Sequence, residues 1–240
     1  MIKKTLLLFL FLGSVYPANS QVLISIILGD KLNSDGLEFG LDGGLNFSTI
    51  SGLETSSVAT NFHLGFYFDI RVKNQWSINT GVLVKSSQGA NKLSKNDVLE
   101  LYPELNMFVD SGSYAQSLGY FNVPIMVKYK FKNNFFMELG PQVSLLINAR
   151  MGYKHEFDGI EIQSSIDNRN AFNRIDAGMV SGIGYKLRNG TGMNIGLKYY
   201  HGMVDISKTS NLNNQNRVLF LKVDIPIGKD KVSKPENTTN

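Results

Sequence analysis

The chain contains no cysteine, which excludes a disulfide framework, thiolate chemistry and a lipoprotein anchor behind its leader. Beyond residue 20 it also lacks any apolar run approaching the roughly 18 residues that a membrane-crossing helix needs. Charge of one sign is scarce. The 24 basic and 20 acidic residues give a formal net charge of +4, with no dense Lys/Arg block of the kind that binds nucleic acid. The three histidines, His63, His155 and His201, fall on different segments. No Ser-His-Asp arrangement can be assembled from them, and His155-Glu156 lacks a second histidine at ligand spacing. Neither a metal nor another cofactor is expected.

The N-terminus has the three parts of a secretory signal: Lys3-Lys4, the apolar run Leu6–Val15 and the small-x-small triplet Ala18-Asn19-Ser20. The run is about half the length of a bilayer-spanning helix, so cleavage is expected between Ser20 and Gln21. Four parts follow: a signal peptide over 1–20, a short periplasmic segment over 21–36, a barrel over 37–227 and a disordered tail over 228–240. Within the second part, Val22–Leu28 is apolar but too short for a span. It suits a helical turn or two against the barrel mouth, or an extra strand. The tail is polar and holds Pro235, a composition that does not build a core.

Eight segments carry period-two sequence: 37–48, 60–70, 75–86, 118–131, 135–148, 173–187, 192–202 and 216–227. In the second, Phe62, Leu64, Phe66, Phe68 and Ile70 alternate with Asn61, His63, Gly65, Tyr67 and Asp69. Successive strand side chains point to opposite faces, so one face is apolar and the other polar. In the fifth, Phe135, Met137, Leu139, Val143, Leu145 and Ile147 oppose Glu138, Gln142, Ser144 and Asn148. The mean hydropathy of -0.09 fits a barrel that hides its membrane character in alternation. Tight and long links also alternate. Those after the second, fourth and sixth segments are short, while 49–59, 87–117, 149–172 and 203–215 are long. Long loops at one end and turns at the other are the pattern of a bacterial outer-membrane barrel.

A soluble lipocalin-like barrel would share the alternation but turn its apolar face inward. Charge favours the membrane form. The polar faces carry Glu38, Asp42, Asp69, Glu138, Asp176 and Asp224 together with Lys85, Lys128, Lys130, Arg174, Lys186, Lys198 and Lys222, and the apolar faces almost none. Aromatics also cluster near both ends of the apolar face: Phe39, Phe68, Trp76, Tyr129, Phe131, Phe135 and Tyr185 toward the turns, and Phe47, Phe62, Phe121 and Tyr199 toward the loops. Such girdles mark bilayer interfaces. The expected fold is therefore all-β, an eight-stranded antiparallel up-and-down transmembrane β-barrel in the outer membrane.

Eight strands leave an interior just wide enough to be filled by side chains. The charged polar faces predict a lumen network of Glu38, Asp42, Asp69, Lys128, Glu138, Arg174, Asp176, Lys198, Lys222 and Asp224, with Glu138 and Arg174 as plausible partners on neighbouring strands. Pro124 and Pro141 fall inside the fourth and fifth strands, where a bulge or a locally broken ladder is expected. In the loops, Asp97-Val98-Leu99-Glu100 reads as a helix start with its capping carboxylate three residues on, ended by Pro103. Asp158-Gly159, between Tyr153–Phe157 and Ile160–Gln163, reads as a hairpin turn.

Several stretches also resemble the PorT-like outer-membrane β-barrel family. They are Phe39-Gly40-Leu41-Asp42-Gly43-Gly44-Leu45-Asn46-Phe47-Ser48, Leu118-Gly119-Tyr120-Phe121-Asn122-Val123-Pro124-Ile125-Met126-Val127-Lys128-Tyr129-Lys130-Phe131, Leu139-Gly140-Pro141, Gly182-Ile183-Gly184-Tyr185 and Leu197-Lys198-Tyr199-Tyr200-His201-Gly202. The Tyr-x-x-x-Pro followed by Lys-Tyr-Lys-Phe is the most specific part. The resemblance implies an outer-membrane barrel and, for the family's namesake, a part in protein export. One departure stands out: such barrels usually finish on an aromatic residue, whereas here the last strand ends Ile225-Pro226-Ile227 and a tail follows. The expected function is non-enzymatic, a structural, binding or export-accessory role exerted through the outside loops, with a small-solute pore as the alternative. The expected partners are the lipid bilayer, the barrel-assembly machinery and an unidentified protein or surface ligand at the loops, with no nucleic acid.

Overall fold

A computed structural model describes residues 36–227 apart from 55–56, 105–111, 158–159, 188–191 and 210–211. The expected leader with its Ser20–Gln21 cleavage site, the segment 21–35, the tail and the turn Asp158-Gly159 lie outside these residues. No described helix is long and apolar enough to cross a membrane. The strands are β1 (Leu37–Ser51), β2 (Ser57–Lys73), β3 (Trp76–Leu93), β4 (Ser113–Lys130), β5 (Phe135–Phe157), β6 (Ile160–Asp167), β7 (Ile175–Lys186), β8 (Asn194–Gly202) and β9 (Gln215–Pro226). A short helix α1 (Lys95–Leu101) follows β3, and a 3-10 turn (Arg169–Ala171) precedes β7.

Eight strands form a closed antiparallel ring, β1-β2-β3-β4-β5-β7-β8-β9, which β9 seals against β1. Closure leaves the ring without an unpaired edge, the only strand arrangement that satisfies the backbone in hydrocarbon. The ninth strand, β6, pairs only with the upper part of β5, from Arg150↔Asp167 to Phe157↔Ile160. The tight links join β2–β3, β4–β5 and β7–β8; α1, β6 and the remaining long connections lie at the other end. Most strands outrun the predicted segments at this loop end, and β5 does so by nine residues, from the expected 148 to Phe157.

Bulges mark where the strands leave the apolar band. In β3 the register slips between Leu83 and Ser86 against β4, so Val84 and Lys85 both face outward. Lys85 was expected in the lumen. It is instead exposed on the wall, with its Nζ 4.3 Å from the centre of the Phe62 ring. In β4–β5 the slip lies between Gly119 and Tyr120, and it turns Asn148 outward together with Ile147, although Asn148 was expected on the inner face. A bulge places two residues against one and so reverses the alternation beyond it. Outward residues in β5 change there from Val143, Leu145 and Ile147 to Asn148 and Arg150.

The prolines act differently. The β4–β5 ladder skips Ile125–Pro141 and Met126–Gly140, the β3–β4 ladder skips Gly81–Pro124 and Val82–Val123, and both resume in the same register. Pro141 thus interrupts the first ladder and Pro124 the second, neither making a bulge. Thr80 Oγ1 donates to the Pro124 carbonyl at 2.8 Å, restoring one bond. The helix also begins three residues earlier than expected. Ser94 is the N-cap: the Asp97 amide donates to its Oγ at 3.1 Å, and its own amide donates to Asp97 Oδ2 at 3.0 Å. Asp97 is therefore the reciprocating carboxylate of the capping box and not the cap. The helix ends at Leu101, before Pro103.

Candidate functional site

The outer wall is apolar. Leu45, Phe62, Ile125, Val127, Met137, Leu139, Val143, Leu145, Ile183, Leu197, Leu219 and Leu221 are all exposed on it. Monomers in water rarely expose a contiguous apolar belt of this kind, which marks a membrane or partner surface. Aromatic rings run in sequence along its turn-end margin: Trp76 to Tyr129 at 4.7 Å, Tyr129 to Phe131 at 4.8 Å and Phe131 to Phe135 at 5.7 Å between centroids. On β1, Phe39 stacks with Phe66 at 5.9 Å, lies 5.0 Å from Phe68 and is buried.

Inside, side chains stack in layers, and the order of residues along each strand gives the order of the layers. The turn-end layer is ionic. Glu38 pairs with Lys186 at 2.9 Å and accepts from the Tyr67 hydroxyl at 3.0 Å. Asp69 pairs with Lys128 at 2.7 Å. Asp42 takes Lys198 at 2.9 Å and His63 Nε2 at 3.2 Å. Lys222 lies 3.1 Å from both Glu138 and Asp224, and Asp224 also accepts from Asn194 Nδ2 at 3.3 Å. Charges taken out of water cost several kcal/mol each, and close partners offset this only when geometry is good; here each carboxylate has a cation within ion-pair distance.

Above this layer Leu83, Met126, Val180, Tyr200, Val218 and Phe220 form an apolar plug. Asn216 comes next, donating to Asp176 Oδ2 at 2.8 Å and to the Tyr120 hydroxyl oxygen at 3.3 Å. Asn46, Asn79 and Gln88 each carry buried amide atoms without a protein hydrogen-bond partner, positions where internal water is the ordinary solution. The loop end is closed by a second apolar cluster. Val98 and Leu101 of α1, Ala171, Phe172 and Ile206 pack there onto Ile50, Leu118, Leu146 and Met151 of the wall.

Glycines make room for the large lumen groups. A Cβ on Gly182 would lie 2.8 Å from Glu138 Cγ. One on Gly184 would meet the Phe136 ring and stand 2.6 Å from the Ile195 carbonyl oxygen. Small residues opposite large ones are how a narrow barrel is filled.

Of the predicted network, Glu38, Asp42, Asp69, Lys128, Glu138, Lys198, Lys222 and Asp224 come together in the turn-end layer, and Asp176 sits higher, without a cation within ion-pair distance among the described residues. Arg174 does not join them. It precedes β7, which begins at Ile175, and its side chain is exposed at the loop end. The partner of Glu138 is therefore Lys222, reached across the lumen from β9. Lys130 is exposed at the turn end, at the rim of the interior. No group of three or more metal-ligating side chains occurs among the described residues. The loop-end plug escaped the sequence reading because its residues come from three separate loops with no common pattern.

A closed eight-stranded ring with a greasy outside and an ion-paired inside defines a small membrane β-barrel. The chain belongs to the outer membrane protein β-barrel domain family, whose pattern matches residues 29–208, and its place is the outer membrane. Among curated proteins none matches in sequence. Solved structures of similar form include Ail, the attachment invasion locus protein of Yersinia pestis, with 10% identity and a TM-score of 0.41 over 81% of this chain and 100% of that one. Neisserial surface protein A has 12% identity and a TM-score of 0.38, covering 81% and 99%. OprG from Pseudomonas aeruginosa has 13% identity and a TM-score of 0.38, covering 80% and 93%.

Proposed function

We propose that this outer-membrane barrel is non-enzymatic and non-conducting, and that it plays a structural, binding or export-accessory role through its loop-end surface. The observation that supports this reading is the sealed lumen. His63, Lys128, Glu138 and Lys198, the residues that would line a small-solute path, are each buried and engaged with an oppositely charged neighbour, and an apolar plug and a loop cap lie above them. The loop end, by contrast, offers relief. A groove of about 570 Å³ runs between the ends of β3 and β4 and the β5–β6 hairpin, with Lys92, Tyr153, Lys154, Gln163 and Ser164 along it. Lys92 adopts a left-handed φ of 52° at the β3 bulge. Such strain in a non-glycine residue recurs at binding surfaces.

Assembly requires the lipid bilayer and the barrel-insertion machinery. The PorT-like strand motifs support the outer-membrane barrel and not a particular role, and no metal or organic cofactor is required. Planar-bilayer recording tests the reading. After folding has been verified by a heat-dependent gel shift, bilayers should stay silent; steady single-channel conductance would establish the small-solute pore instead.

A further inference from the structure

At the turn end the lumen opens into a cavity of about 110 Å³, several times the roughly 10–15 Å³ that one water needs. Its floor is the Phe136 ring, and four cations reach it: Arg71, Lys128, Lys130 and Lys186. Only two carboxylates do, Glu38 and Asp69, and both are committed, at 2.9 Å to Lys186 and 2.7 Å to Lys128. Arg71 and Lys130 have no ion-pair partner among the described residues. Two uncompensated cations are thus gathered at the mouth of a concavity whose walls are protein. Such a shape focuses the field and concentrates anions. Ser77 and Asn194 add neutral polar groups to the same lining.

We propose that this turn-end cavity binds an oxyanion, a phosphate or carboxylate group, between the Arg71 guanidinium and the Lys130 ammonium. The guanidinium fork matches two oxygens of such a group at once, and the ammonium supplies a point charge. Lys128 and Lys186, both more than nine-tenths buried, hold the positive potential at the back of the cavity. The ring sequence from Trp76 to Phe135 puts this mouth at the level of a bilayer interface. The oxyanion can therefore come from a lipid headgroup or from a free anion in the periplasm.

The chain has a single tryptophan, and Trp76 lines this cavity, so its fluorescence reports occupancy. The full protein, folded in a neutral maltoside detergent, is titrated with inorganic phosphate at constant ionic strength. A saturable change is expected, and losing a charge-assisted hydrogen bond should weaken it about tenfold or more in each of Arg71→Gln and Lys130→Gln. Lys85→Gln, on the outer wall, should titrate like the parent. Both tested side chains are exposed, and the heat-dependent gel shift checks that each variant folds. A response that never saturates, or one unchanged in both variants, would mean adventitious ion pairing and overturn the proposal. Repeating the titration in nanodiscs separates the sources. Loss of the phosphate response in phosphatidylglycerol but not in phosphatidylcholine assigns the site to an anionic headgroup, whereas an equal response in both assigns it to a soluble anion.

Discussion

Lys222 is the most consequential single side chain in the lumen. It is fully buried and stands 3.1 Å from Glu138 and 3.1 Å from Asp224, which are themselves 0% exposed. Replacing it by methionine keeps much of the volume and removes the one cation paired with both among the described residues. Breaking a buried pair by deleting one partner typically costs about 3–5 kcal/mol, because the other charge is left uncompensated. Here two carboxylates are stranded together, but Asp224 keeps the Asn194 amide at 3.3 Å, which places the expectation within that range and not above it. Urea unfolding in phosphatidylcholine vesicles, followed by unheated gel mobility and by Trp76 fluorescence, measures the loss. Adding Glu138→Gln and Asp224→Asn to Lys222→Met should recover most of it, since removing all the charges removes the unpaired ones too. The exposed control Glu104→Ala should fall within about 0.5 kcal/mol of the parent. If Lys222→Met lies within about 1 kcal/mol of that control, the lumen is wet enough to screen a lone charge, and the filled-barrel reasoning fails.

Gly184→Ala forces a methyl against Phe136 and the Ile195 carbonyl, a backbone atom that cannot turn aside, and should destabilise by about 1–3 kcal/mol in the same vesicle assay. Leu101→Ala removes a fully buried side chain from the loop-end cap and should cost about 2–5 kcal/mol, while leaving planar bilayers silent because the layers beneath remain. Ser94→Ala deletes the helix cap that receives the Asp97 amide; about 1 kcal/mol is expected, measurable as faster protease cleavage near α1.

The face of most wall residues was legible in the amino-acid order, because alternation is a property of the extended backbone itself. Phe62, Leu64 and Ile70 face outward and His63 and Tyr67 inward, as period two requires. The alternation failed where backbone geometry, and not composition, changes. At Val84-Lys85 and Ile147-Asn148 two consecutive residues face outward, and nothing in their side chains announces a bulge. Arg174 has the parity of Asp176 but lies just before the strand starts, so parity had no meaning there. The extension of β4 and β5 beyond the apolar band was hidden for a related reason: Ser113, Ser117 and Arg150 face outward at the level of water, where strands no longer need a greasy side.

The amino-acid order alone carried an alternating eight-segment wall, turns at one end and long connections at the other, and an interior lined by both signs of charge. These follow from local rules: the two-residue strand period, the length a bilayer imposes and the cost of charge in lipid. The tertiary structure alone decided which charges meet. Glu138 finds Lys222 across the lumen, Glu38 finds Lys186, and Arg71 and Lys130 are left at a shared mouth, because partners inside a closed barrel are set by strand register, stagger and closure. It also decided that Val98, Leu101, Phe172 and Ile206 converge into one plug. They come from three separate loops, Val98 and Leu101 sharing the helix α1, and only closing the ring brings the loop bases close enough for a common apolar cluster to exclude water.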